Sequence, residues 1–142
     1  MNRESRIDNR YLQTKIQTAS PMELIIILYD GAINSVSKGL ENYNTRKRKE
    51  YDENLTKAKR FIKELQLSLN LDIKPIAVQL FSLYDYMIRE LSDAICNRKG
   101  SKEKIKRVLR MLKELRETWI KVKEKADLDK EKTSLENLSL SV

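Results

Sequence analysis

The chain has 142 residues, 40% of them hydrophobic and 35% charged, which supplies one hydrophobic core and gives no reason to expect two domains. With only 3 glycines and 2 prolines it lacks the turn punctuation of a sandwich or barrel. It has no histidine and a single cysteine, Cys96, so zinc fingers, Ser–His–Asp triads, Cys–His nucleophile pairs and disulfide frameworks are excluded.

Residues 1–19 are polar apart from Ile7, Tyr11, Leu12 and Ile16, too little apolar material for a core element, and are expected to form an N-terminal arm. The start, Met1 to Arg6, leads into no apolar h-region, so a signal peptide is not expected. Ser20-Pro21-Met22-Glu23 then announces a helix: Ser20 caps, Pro21 suits the first position and Glu23 completes a capping box. This helix is expected from Pro21 to about Tyr43. Its stretch Leu24-Ile25-Ile26-Ile27-Leu28-Tyr29 is apolar on every side and must be covered by neighbours or by a partner.

A second helix is expected over about Glu50 to Leu69, where Tyr51, Leu55, Ala58, Ile62, Leu65 and Leu69 repeat at alternating four- and three-residue steps. Pro75 disfavours helical geometry at Lys74, so a break is expected at Asp72 to Lys74 with a third helix from Pro75. Its seam is Ala77, Leu80, Tyr84, Met87, Leu91 and Ala94, widened by Phe81, Ile88 and Ile95. Asn97 to Gly100 supplies a stop and Ser101 a cap for a fourth helix with Ile105, Val108, Leu112, Leu115, Trp119, Val122 and Ala126 inward. Four such helices with short links predict an all-α, antiparallel four-helix bundle over residues 20–126. Residues 127–142 are expected as a C-terminal tail; Leu135, Leu138, Leu140 and Val142 leave open a short fifth helix or packed turn there.

The net charge of +8 favours acidic surfaces, with basic residues concentrated at Arg46-Lys47-Arg48-Lys49 and from Arg98 to Lys125. Acidic residues interrupt the second stretch, as on a solvated helix face, and nucleic acid is not the expected partner. No apolar run approaches the roughly 18 residues of a membrane span, so no membrane insertion is expected. Asp30 and Asp85 lie in apolar helical surroundings that would raise their proton affinity if they were buried and unpaired; accepting hydrogen bonds from neighbours is the plainer role. Without Glu-x-x-His pairs or a glycine-rich loop, neither a metal nor a cofactor is expected, and Cys96 reads as a small hydrophobe or surface thiol. The composition describes a non-enzyme.

Leu-Tyr-Asp occurs twice, at 28–30 and 83–85. Thr18-Ala19-Ser20-Pro21 with Leu24 and Leu28-Tyr29-Asp30-Gly31-Ala32, then Leu83-Tyr84-Asp85-Tyr86-Met87 with Arg89, then Leu112 to Trp119, together resemble the flagellar secretion chaperone FliS family over residues 11 to about 125. The resemblance implies a cytosolic export chaperone. Such a chaperone binds the disordered C-terminal segment of flagellin, prevents its premature polymerisation and delivers it to the flagellar type III export apparatus, an export-gate component being a further partner. It also implies an arm that covers the groove until flagellin displaces it, with Tyr11 and Ile16 at the arm's apolar positions. Ile25, Ile26, Tyr29 and Ile33, with Tyr86 and Met87, are the candidate groove-lining residues, core packing being the alternative for each. Arg89 and Arg116 are expected to pair with Asp30 or Asp85, or to meet acidic groups on the client. Ile88 stands where the family usually has a polar residue, Lys74-Pro75 where it often has glycines, and Asp127 onward matches nothing in it. A basic helical adaptor for nucleic acid or another anionic partner is the alternative function, and self-association without a client stays open.

Overall fold

The structure, a computed structural model, describes residues 3–72 and 75–140, with side chains from Asn9 onward. It is all-helical among the described residues: α1 (Arg3–Thr18), α2 (Pro21–Tyr43), α3 (Arg48–Leu67), α4 (Ile76–Cys96) and α5 (Lys102–Leu140). The expected break at Asp72 to Lys74 falls partly outside the described residues, as do Val142 and the side chain of Ile7. The chain divides into two compact units, Leu28–Arg116 and a second made of Met1–Ile27 with Glu117–Val142.

Within Leu28–Arg116 four helical segments form the bundle, and their cross-links give its topology. Tyr51 at the start of α3 bonds to Ala94 at the end of α4, while Gln66 at the end of α3 bonds to Phe81 early in α4, so these two run antiparallel. Asn54 donates to Asn42, which sets α3 antiparallel to α2. Lys104 pairs with Asp93 and Arg107 with Glu90, so α5 runs antiparallel to α4. Tyr29 and Tyr84 meet through their hydroxyls and place α2 parallel to α4 across the diagonal. Each helix then contributes one inward stripe: Tyr29, Ala32 and Val36; Tyr51, Leu55, Ala58, Ile62 and Leu65; Ala77, Tyr84, Met87, Leu91 and Ala94; Ile105, Val108 and Leu112. The alternating three- and four-residue steps of these positions keep one face of each helix turned to the axis.

Two glycines let α2 lie close to α3. A Cβ at Gly31 would stand 2.5 Å from the Phe61 ring, and one at Gly39 would stand 2.6 Å from Leu55 Cδ2. Leu55 is fully buried and has nowhere to retreat. Gly39→Ala gains up to about 1 kcal/mol of helix propensity and loses about 1–3 kcal/mol to overpacking. A net loss in urea unfolding is therefore expected; a more stable variant would mean that α2 and α3 can separate at no cost.

In the second unit the capping box forms as the sequence predicts: Glu23 N–H donates to Ser20 Oγ at 3.3 Å and Ser20 N–H to Glu23 Oε2 at 3.4 Å. The N-terminal arm is itself a helix, with Tyr11, Leu12 and Ile16 exposed. The expected tail is also helical, since α5 continues to Leu140. Nothing from Asp127 to Leu140 is glycine or proline, and Lys123 pairs with Asp127 one turn on, so nothing stops the helix where its apolar seam ends. Ser101 sits where a cap for α5 was expected, but its hydroxyl turns inward, donating to the Arg98 carbonyl at 2.6 Å and meeting the Tyr51 hydroxyl at 3.0 Å. Gly100, with φ of 77°, makes the turn that allows this.

Candidate partner-binding surface

Two of the groove candidates are core residues. Tyr29 and Met87 are completely buried, Tyr29 with its hydroxyl against that of Tyr84. Their positions explain this: Tyr29 is in step with Ala32 and Val36, and Met87 with Tyr84, Leu91 and Ala94, on the inward stripes. Neither lines an open surface. Ile33 and Tyr86, one step off those stripes, are half-buried and keep part of their apolar surface accessible. Tyr86 also accepts a hydrogen bond from Arg107 at 3.3 Å; that bond favours the charged guanidinium. In the other unit Ile25 and Ile26 are half-buried, and Tyr11 and Ile16 are exposed.

The two Leu-Tyr-Asp carboxylates are surface groups held by arginines. Asp30 accepts from Arg116 Nε, and Asp85 lies 3.3 Å from Arg89. These are the pairings the sequence suggests, and they leave neither aspartate in the apolar confinement that acid–base chemistry would need. Cys96 is exposed, and among the described residues no cluster of three metal-capable side chains occurs.

The largest apolar exposure in the bundle was not anticipated as a surface. Leu67, Leu71, Ile76, Val78 and Phe81 are all exposed where α3 passes into α4, with Leu67 at 67% and Ile76 at 64%. The signal was present as apolar letters out of step with the seam: Leu67 two places after Leu65, Ile76 and Val78 flanking Ala77. A polar surface would have been cheaper to keep dissolved, so apolar side chains collected at one end mark a contact site.

The sequence matches the family model for FliS, described as "Flagellar protein FliS", over residues 4–126. The chain belongs to the FliS family. It is 31% identical over 112 residues to the flagellar secretion chaperone FliS of Bacillus subtilis (strain 168), covering 77% of this chain and 80% of the relative. Its fold is similar to the crystal structure of a flagellar chaperone from bacteria, with a TM-score of 0.68 and 29% identity over 86% of this chain and 98% of that one. FliS is a family of chaperones and not of enzymes, which gives the chain an export-chaperone role with a flagellar protein as client. The match ends where the inward seam of α5 has run out, so the helical extension after Ala126 lies outside the family's shared part. No helix among the described residues is long and apolar enough to cross a membrane.

Proposed function

We propose that this FliS-family chain binds the disordered C-terminal segment of flagellin in the cytosol, keeps it from polymerising and delivers it to the flagellar type III export apparatus. The observation that carries the reading is the exposed apolar end formed by Leu67, Leu71, Ile76, Val78 and Phe81 on a protein that is 35% charged. An amphipathic segment docks on such a surface through spaced apolar anchors. Ordering a disordered client costs about 2–5 kcal/mol, so a long contact is needed, and the half-buried Ile33 on α2 and Tyr86 on α4 are assigned to it as further apolar contacts. Ile25 and Ile26 are assigned to client contact in the second unit. Tyr11 and Ile16 are assigned to the arm positions that the client displaces, and an export-gate component receives the loaded chaperone.

Calorimetric titration with a peptide of flagellin's C-terminal segment tests this. One-to-one binding with a strongly negative heat-capacity change and little salt dependence is expected. Phe81→Asp and Ile33→Asp are each expected to weaken it about tenfold or more, with helical circular dichroism retained. Unchanged affinity in both variants would move the client surface elsewhere, and no binding by the folded parent protein would overturn the reading.

A further inference from the structure

Two basic segments far apart in the sequence meet at the end of the bundle opposite the apolar patch. Arg46-Lys47-Arg48-Lys49 leads from α2 into α3, and Arg98-Lys99 leads from α4 towards Lys102 at the start of α5. They are tied together by Arg98, whose Nη2 donates to the carbonyls of Asn42 at 2.8 Å, Tyr43 at 2.7 Å and Thr45 at 2.6 Å. A second tie runs from the Gly100 N–H to the Tyr43 hydroxyl at 3.1 Å. Between the two segments lies a cleft of about 580 Å³ lined by Tyr43, Arg48, Asn97, Arg98 and Lys99, with no carboxylate in its wall.

Among the described residues, unpaired cations such as Arg60 and Lys113 occur elsewhere on the bundle, but several of its other cations are paired, and here the unpaired ones come from two segments tied together. Arg89, Lys104, Arg107 and Arg116 each face a carboxylate. Among the described residues Arg46, Lys47, Arg48 and Lys99 face none within 4.0 Å, and Lys49 reaches only Glu53, at 3.9 Å. Like charges gathered without counter-charge repel one another, and an anionic partner relieves that repulsion.

We propose that this basic end docks an acidic segment of a second protein. Arg48 offers a guanidinium fork suited to a carboxylate, and the lysines supply mobile charge around it. Features that single-stranded nucleic acid uses are missing: the ring of Tyr43 is half-buried and its hydroxyl is engaged, which leaves no free platform for base stacking at the cleft. The basic groups also cluster at one end and form no stripe along a helix, as a duplex backbone would need. The 20 residues of α3 separate this end from the apolar end by about 30 Å, so an acidic partner leaves that surface free.

Fluorescence anisotropy with a labelled poly-glutamate peptide, single-stranded DNA and inorganic phosphate as competitor tests the assignment on the full chain. The double reversal Arg48→Glu with Lys99→Glu is expected to weaken poly-glutamate binding about tenfold or more, and Arg60→Glu with Lys113→Glu, the same change of net charge on helix faces away from the cleft, less than about twofold. Unchanged melting of both variants confirms that they fold. Equal losses in the two doubles, no binding of poly-glutamate, or DNA bound more tightly than poly-glutamate and lost with Arg48 and Lys99 would each overturn the proposal. Flagellin-peptide affinity should be unaffected by the reversal, so failure here and failure of the client reading are told apart.

Discussion

Replacing Tyr51 by alanine is expected to cost about 3–5 kcal/mol in urea unfolding, the loss typical of deleting a large buried aromatic side chain. The side chain is fully buried, donates its hydroxyl to the Ala94 carbonyl at 2.7 Å, meets Ser101 Oγ at 3.0 Å, and lies under the Arg98 guanidinium at 4.7 Å. One residue of α3 thus holds the end of α4 and the turn into α5. Tyr51→Phe keeps the ring and should cost about 1–2 kcal/mol, since a buried carbonyl loses its donor. If alanine costs no more than phenylalanine does, the ring does not support this end of the bundle.

The same residue gives the fold an alkaline limit. Burial raises the Tyr51 pKa above its ordinary value of 10.0, against the opposing Ser101 hydrogen bond and the Arg98 charge. In the unfolded chain the hydroxyl ionises near its ordinary value, so above that pH the unfolded state sheds a proton that the folded state keeps. The stabilisation is whole below about pH 10 and is lost as pH rises towards the folded value. Between about pH 8 and pH 11 the parent protein should lose more stability than Tyr51→Phe. Parallel losses would assign the alkaline limit to other groups.

Arg98→Ala is expected to be the second most damaging change, at about 2–3 kcal/mol, because charge-assisted bonds to the Asn42, Tyr43 and Thr45 carbonyls and the contact with the Tyr51 ring go together. Those carbonyls belong to the C-terminus of α2 and its turn, where helices leave acceptors unmatched. Arg98→Lys should recover only part of the loss, since an ammonium lacks the planar face that the guanidinium lays over the Tyr51 ring. Full rescue by lysine, read from denaturation midpoints, would show that charge alone suffices.

How much of this was readable in advance differs from helix to helix. On α3 the period was clean, and Tyr51, Leu55, Ala58, Ile62 and Leu65 are all buried; Leu69 is half-buried because the helix ends at Leu67. On α2 the unbroken run from Leu24 to Tyr29 hides its own period, so Tyr29 could be placed on a groove when the inward step to Ala32 and Val36 makes it core. The same reasoning missed Leu67 and Ile76, because a pattern shows which face turns inward and does not show whether an apolar residue at a helix end finds a neighbour. In α5 the expected seam beyond Leu112 dissolves: Leu115, Trp119 and Ala126 are half-buried and Val122 is exposed. The extension to Leu140 was illegible for the opposite reason, polarity having been read as the end of order where only a helix breaker would have ended it.

The 39 residues of α5 have a consequence for how the protein breathes. Ile105, Val108 and Leu112 anchor the first third in the core, while from Asp127 to Leu140 every side chain is exposed. A helical segment whose side chains are all exposed opens by fraying, at far less than the global unfolding free energy. Amide hydrogen exchange should therefore fall into a gradient along the sequence of α5, slow near Val108 and fast near Leu135.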